Sequence, residues 1–170
     1  MKREKGFSLI ELLIVVAIIL IIAAIAVPNL LKSKMAANEA SAAATLRTIA
    51  TANVTYSSTY NVGFAGGLVA LGPPAAGVAS DSAAADLIDS TLGVEDAVKS
   101  GYKFSYLPQN TPTDVAPNGS YAVAATPVSP DSSGKSTFCT DQTNKVGKDV
   151  SGATVAGADT GCDFTAFLPM

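Results

Sequence analysis

The sequence of 170 residues contains no histidine and no tryptophan, and it has only two cysteines. Histidine is the most common side chain in acid–base catalysis and metal binding, so its absence removes most sites of those two kinds. The chain also lacks a Walker-type phosphate loop, a Gly-x-Ser-x-Gly nucleophile elbow and a Cys-x-x-Cys pair. We therefore expect a protein that is not an enzyme and needs no cofactor.

Charged residues are also scarce, at 15% of the chain, and none lies between Leu12 and Val27. A helix from Phe7 to Val27 would be about 31 Å long at roughly 1.5 Å per residue, close to the hydrocarbon thickness of a bilayer, about 30 Å. Three basic residues, Lys2, Arg3 and Lys5, precede it and indicate that the N-terminus is cytoplasmic. The sequence thus predicts one membrane span, with the rest of the chain outside the cytoplasm.

Glu11 is an acid within this apolar segment. An unpaired carboxylate at membrane depth costs a few kcal/mol or more, so an acid in this position is by default functional. We expect its partner to be the α-amine that cleavage between Gly6 and Phe7 would expose. The alternative is a favourable charge on the first helical turn, worth about 0.3 to 1 kcal/mol against the helix dipole. The two roles are compatible, because Glu11 can favour the helix dipole before cleavage and pair with a neighbour's amine after it.

The basic leader, Gly6, Phe7, Glu11 and Pro28 together resemble the class III signal of type IV pilins and of type II secretion pseudopilins. The resemblance extends from Lys5 to about Ala52. It implies that a prepilin peptidase cleaves after Gly6 and methylates Phe7, and that Glu11 acts in assembly. An inner-membrane assembly platform with a separate ATPase motor would then extract the subunit into a helical homopolymer.

The resemblance also implies a fold and a location. The fold would be α+β, with a long N-terminal helix packed on a small antiparallel β-sheet. The precursor would lie in the inner membrane and the product in a pilus on the bacterial surface. Many pilins have a glycine midway along the membrane helix, but this chain has none there. Pro28 is then the predicted weak point, because proline costs a helix interior about 3 kcal/mol.

An ordinary secretory signal is the competing interpretation of the N-terminus. Ala24-Ile25-Ala26 supplies a small-x-small cleavage site before Val27. A glutamate within a segment that is merely discarded argues against this, and so does the helical pattern that continues beyond Ala26.

We divide the chain into five segments. Residues 1–6 are the leader, 7–28 the membrane and polymerisation helix, and 29–56 its amphipathic continuation. Residues 57–100 form a Gly/Pro-rich connection with a short helix, predicted over Ser82–Leu92 with Gly93 closing it. Residues 101–170 form the sheet and a disulfide-bounded loop. The face predicted to be buried on the amphipathic helix is formed by five residues: Leu31, Met35, Ala42, Leu46 and Ile49.

Alternating patterns predict about four short strands in the last segment. The aromatic residues Tyr102, Phe104 and Tyr106 share one face of the first strand, which we interpret as core. The second strand contains Tyr121, Val123 and Ala125. Weaker signals cover Ser136–Thr140 and Lys145–Val150.

Cys139 and Cys162 are expected to pair, since the predicted compartment is oxidising. The loop between them would gain roughly 3 kcal/mol in the chain-entropy model. Disulfide-bounded C-terminal loops are also common in the family that this chain resembles. Free thiols are the alternative.

The acidic residues in and beside this loop do not form a recognisable metal site. Asp141, Asp149, Asp159 and Asp163 could in principle bind calcium, as in some pseudopilins, but their spacing matches no EF-hand and we interpret them as solvated. Two motifs, Asn53-Val54-Thr55 and Asn118-Gly119-Ser120, match the N-glycosylation pattern, although the pattern is short enough to occur by chance.

The charge balance gives no indication of nucleic-acid binding. Without residues 1–6 the chain has 8 basic and 13 acidic groups, a net charge of −5. The predicted function is that of a structural pilus subunit. The alternatives are a pseudopilin that forms a periplasmic piston and a singly anchored domain that never polymerises.

Overall fold

The computed structural model describes residues 8–108, 118–151 and 162, and the backbone of Leu168–Pro169. Gly6 and Phe7, the predicted processing residues, lie outside the described residues. The chain divides into two units, Met1–Lys34 and Met35–Met170.

Helix α1 (Leu9–Tyr60) contributes to both units. Its sequence favours a long helix, because it contains no glycine and is rich in leucine, isoleucine and alanine. The helix begins after Ser8, whose carbonyl accepts the N–H of Leu12 at 3.2 Å. It ends where Asn61 adopts a φ of 56° and donates its N–H to the carbonyl of Ser57 at 3.1 Å. Asparagine in this left-handed conformation is a common helix terminator.

Within the described residues of the unit Met35–Met170, six strands form one antiparallel sheet in sequential order. They are β1 (Val98–Lys99), β2 (Tyr102–Pro108), β3 (Tyr121–Pro127), β4 (Thr137–Asp141), β5 (Val146–Asp149) and β6 (Leu168–Pro169). The register pairs Phe104 with Ala125 and Ala124 with Cys139. Strands β2 to β5 coincide with the four predicted strands. The long helix and antiparallel sheet confirm the predicted α+β class.

The main core lies between the second half of α1 and one face of the sheet. Leu46, Ile49 and Tyr56 from the helix are buried together with Tyr102 and Phe104 from β2. The aromatic stripe is therefore core, as predicted. On the predicted helix face, Ala42 is also buried and Met35 is half-buried, but Leu31, which belongs to the other unit, is exposed.

The opposite face of the sheet has a smaller core of its own. Ala122, Cys139 and Cys162 are buried there, with Leu107 packed against them. Because successive side chains of a strand point to opposite faces, β3 buries its residues alternately in the two cores. All five residues from Tyr121 to Ala125 are buried for this reason.

The helix predicted over Ser82–Leu92 does not form. A short helix α2 (Leu68–Leu71) precedes this region instead. The N–H groups of Ala85 and Leu87 donate to the carbonyls of Ala70 and Leu71 in α2 at 2.9 and 2.8 Å. These two N–H groups therefore do not form the hydrogen bonds that a helix over Ser82–Leu92 would need. Gly93, predicted to close the helix, packs against Gly72; a Cβ on Gly93 would lie 2.7 Å from the Cα of Gly72.

Candidate assembly site

The first part of α1 is a helix whose large apolar side chains are all exposed. Leu9 is 76% exposed and Leu30 is 71% exposed. None of the apolar stretch is buried, and it is long and apolar enough to cross a membrane. Those of its large apolar residues that are more than half exposed are Leu9, Ile10, Leu12, Leu13, Ile14, Ile18, Ile19, Leu20, Ile21, Ile22, Ile25, Val27 and Leu30. A surface of this kind is stable only in lipid or against other protein.

Glu11 is exposed in the first turn of α1. Ser8 stands three residues before it, and this Ser-x-x-Glu spacing is that of a capping box, a signal that sequence reasoning missed. Among the residues that the structure describes, none forms an ion pair with Glu11.

Pro28 lies inside α1, which is helical on both sides of it. Proline has no N–H to donate to the carbonyl four residues earlier, that of Ala24. Ser33 adds a second local perturbation, because its hydroxyl donates to the carbonyl of Asn29 at 3.0 Å. Such back-bonding by serine weakens and often bends helices. Ser33 is thus a second perturbation of the helix close to the predicted weak point at Pro28, and the sequence pattern did not reveal it.

The second half of α1 is attached to the sheet by polar contacts centred on Glu39. Its Oε2 lies 2.9 Å from Nζ of Lys148. Its Oε1 accepts the N–H groups of Lys135 and Ser136 at 3.1 and 3.2 Å. Burial raises the pKa of Glu39, but these three donors outweigh it and hold the pKa below its ordinary value. Two residues after Glu39, Ser41 donates to Ser100 at 2.9 Å.

A buried polar cluster lies near the end of α1, and both asparagines of the glycosylation motifs belong to it. Asn53 and Asn118 are fully buried. The Asn53 side-chain oxygen accepts the N–H of Ala65 at 3.2 Å and lies 2.8 Å from the hydroxyl of Tyr106. The Asn118 side chain donates to the carbonyl of Ala65 at 2.9 Å. Neither asparagine is accessible to a glycosylating enzyme in the folded domain, which favours a chance match to the motif at both sites.

The predicted disulfide between Cys139 and Cys162 is present, with a Cα–Cα distance of 5.9 Å. Both cysteines are buried in the smaller core. The bond connects β4 to the C-terminal segment on the sheet face opposite α1.

The nearby acids that the structure describes act as turn caps. Asp141 accepts the N–H and hydroxyl of Thr143, and Asp149 accepts those of Ser151. Within the described part of the chain, no three histidine, cysteine, aspartate or glutamate side chains cluster as a metal site would require. Asp159 and Asp163 lie outside the described residues.

Comparison with protein families gives a match to the prokaryotic N-terminal methylation motif over residues 1–27. The N-terminus of this chain thus carries a prepilin methylation motif. The matched segment includes Gly6, Phe7 and Glu11, and Pro28 follows it directly.

Two curated proteins to which this chain is similar are described as type IV pilus or pilin proteins. One is the type IV wide pilus major component PilA4 of Thermus thermophilus, 59% identical over 39 residues, which are 23% of this chain and 30% of that protein. The other is the type IV major pilin protein PilA of Myxococcus xanthus, 46% identical over 56 residues, 33% of this chain and 26% of that protein. The chain thus spans less than a third of either relative. No solved structure matches it.

Proposed function

We propose that this protein is a structural subunit of a type IV pilus. The observation that carries the proposal is the exposed apolar half of α1, most of which lies within the match to the N-terminal methylation motif. The chain's own domain leaves these side chains uncovered, so lipid and then other subunits must cover them. A helical homopolymer of α1 helices meets that need.

The proposed assembly begins with processing. A prepilin peptidase cleaves after Gly6 and methylates the new N-terminus at Phe7. The amine of Phe7 stays cationic after methylation, and it lies only one helical turn before Glu11 in the sequence. In the membrane the carboxylate of Glu11 has a strong preference for a cation, because isolated charges are costly there. A neighbouring subunit's amine satisfies that preference and sets the axial register of the two helices.

Extraction from the membrane requires α1 to adapt to its neighbours. The missing hydrogen bond at Pro28 and the back-bonding of Ser33 weaken the helix at this point. We infer that the helix loosens there during assembly. An inner-membrane platform moves the subunits, and a separate ATPase supplies the energy.

The unit Met35–Met170 forms the coat of the filament in this proposal. It holds 12 acidic and 6 basic residues, so the coat is negative and has no affinity for nucleic acid. The precursor lies in the inner membrane, and the polymer is displayed on the bacterial surface.

N-terminal sequencing of the protein taken from cells, combined with electron microscopy of sheared material, tests the proposal. We expect a chain that begins at methylated Phe7 and filaments that contain it. A chain that begins at Met1 or at Val27 would favour a singly anchored domain or an ordinary secreted one. Processed protein without shed filaments would favour a secretion pseudopilin, because the same signal occurs in that group.

A further inference from the structure

From Met35 onward, α1 contains two charged residues, Glu39 and Arg47. Glu39 is half-buried and paired with Lys148, so Arg47 is the one charged residue on the exposed side of this part of the helix. The other exposed residues on this side of the helix are small or β-branched: Ala36, Ala37, Ala40, Ala44, Thr48, Thr51, Val54, Thr55, Ser58 and Thr59. A solvated helix face is normally rich in charged residues, so this face has the composition of a contact surface.

Arg47 borders a shallow groove between α1 and Leu87. Thr48, Thr51 and Thr55 line its helix side, and their hydroxyls donate to α1 carbonyls at 3.2, 2.9 and 3.1 Å. The threonine hydroxyls therefore need no hydrogen-bond acceptor from another molecule. The guanidinium of Arg47 is different, because no acid in the described part of the chain forms an ion pair with it.

The complementary charge lies in the connecting segment, which we define as residues 61–97. It contains five acids and no lysine or arginine. Asp89 and Asp96 are paired with Lys99 and Lys103 at 2.9 Å. The remaining three, Asp81, Asp86 and Glu95, are exposed and have no ion pair within the described residues.

We propose that Arg47 of one subunit forms an ion pair with an acid of the connecting segment of a second subunit, namely Asp81, Asp86 or Glu95. The occupant of the groove is thus another copy of this chain. Arg47 is an unpaired cation on an otherwise uncharged helix face, and the charged residues of the connecting segment are all acids. The two surfaces are therefore complementary in charge. Such pairs specify partner and register more than they add affinity. The inference rests on the proposed function and adds a second, polar contact outside the membrane helix.

Charge reversal in full-length protein tests it. Arg47→Glu should lower the yield of sheared filaments about tenfold or more, because two acids then face each other. One of Asp81→Lys, Asp86→Lys and Glu95→Lys should cause a similar loss. Co-expression of that variant with Arg47→Glu should restore filaments, because each variant then supplies the opposite charge to its neighbour.

Co-expression distinguishes a contact between subunits from one within a subunit. If the pair were internal, the double variant would recover but the mixture of single variants would not, and the inference would be overturned. Lys145→Glu, an equal charge change at an exposed site in the turn after β4, should leave the yield unchanged. Normal filaments from Arg47→Glu, alongside none from Glu11→Ala, would refute this contact and leave the pilus function standing. Wild-type protein that forms no filaments would refute both.

Discussion

Glu39 and Lys148 form the one salt bridge that joins α1 to the sheet among the residues the structure describes. Their charged atoms are 2.9 Å apart, and the side chains are only 17% and 29% exposed. The ammonium of Lys148 also lies 5.7 Å from the ring centre of Phe138, a distance typical of a cation–π contact. The same carboxylate accepts two backbone N–H groups, so it fixes the position of the helix against β5 and the residues just before β4.

Stability should therefore depend on pH through Glu39. Its pKa in the folded protein lies below the ordinary value of 4.5, so its contribution is complete above about pH 4.5. It is lost as the pH falls through the lower folded pKa. Glu39→Gln should reduce the free energy of unfolding at pH 7 by about 1 to 3 kcal/mol, as for hydrogen bonds to a charged group. Thermal or denaturant unfolding in detergent at pH 7 and pH 3 measures the effect.

The difference between wild type and Glu39→Gln should shrink at pH 3. Asp96→Asn is the matched control, because Asp96 is also paired with a lysine at 2.9 Å but its side chain is 61% exposed. Exposed pairs contribute little, so this variant should behave as wild type at both pH values. An equal destabilisation by Glu39→Gln at both pH values would show that its charge is irrelevant.

Glu11→Ala should leave membrane insertion and leader cleavage intact and reduce filament yield about tenfold or more, because the amine of a neighbour then has no counter-charge. Fractionation, the gel shift on processing and electron microscopy give the three readouts. Glu11→Asp keeps the charge but shortens its reach, and we expect only partial assembly from it. Wild-type filament yield from Glu11→Ala would eliminate the proposed pairing.

Gly6→Val should block processing, since a branched side chain would occupy the position just before the cut. The precursor would run as an unshifted band on a gel. Ala26→Val serves as the control, because it would block an ordinary signal peptidase but not a prepilin peptidase. The prediction fails if Ala26→Val accumulates precursor and Gly6→Val does not.

Asn53→Ala should destabilise the domain by about 1 to 3 kcal/mol, because it leaves the N–H of Ala65 buried without its acceptor. Thr55→Ala removes the same glycosylation motif but leaves Asn53 in place. We expect Thr55→Ala to retain wild-type stability and to differ from wild type in intact mass only by the substitution itself. A loss of glycan mass in Thr55→Ala would show that Asn53 is accessible at some stage before folding is complete.

The sequence predicted those elements whose signals are long and periodic. Helix α1 has an unbroken apolar and alanine-rich pattern, and β2 alternates aromatic with polar residues over Tyr102–Tyr106. The N-terminal signal was recognisable for a related reason, because its residues lie at fixed spacing in one continuous segment. Strands β1 and β6 have two residues each and carry no such pattern.

The errors occurred where contacts distant in sequence decide the structure. The helix predicted over Ser82–Leu92 does not form, because the N–H groups of Ala85 and Leu87 bind the distant carbonyls of Ala70 and Leu71. Asp86 adopts a φ of 56°, which interrupts any helix through it. Asn53 and Asn118 matched a surface motif, yet they meet at Ala65 inside the fold. A single sequence does not show which distant residues contact each other in the fold.

The disulfide between Cys139 and Cys162 closes on the side of the sheet that α1 does not cover. Helix α1 and Cys162 consequently contact opposite faces of the sheet through separate sets of buried residues. A substitution confined to the smaller core is therefore expected to leave the main core, which positions α1, unchanged.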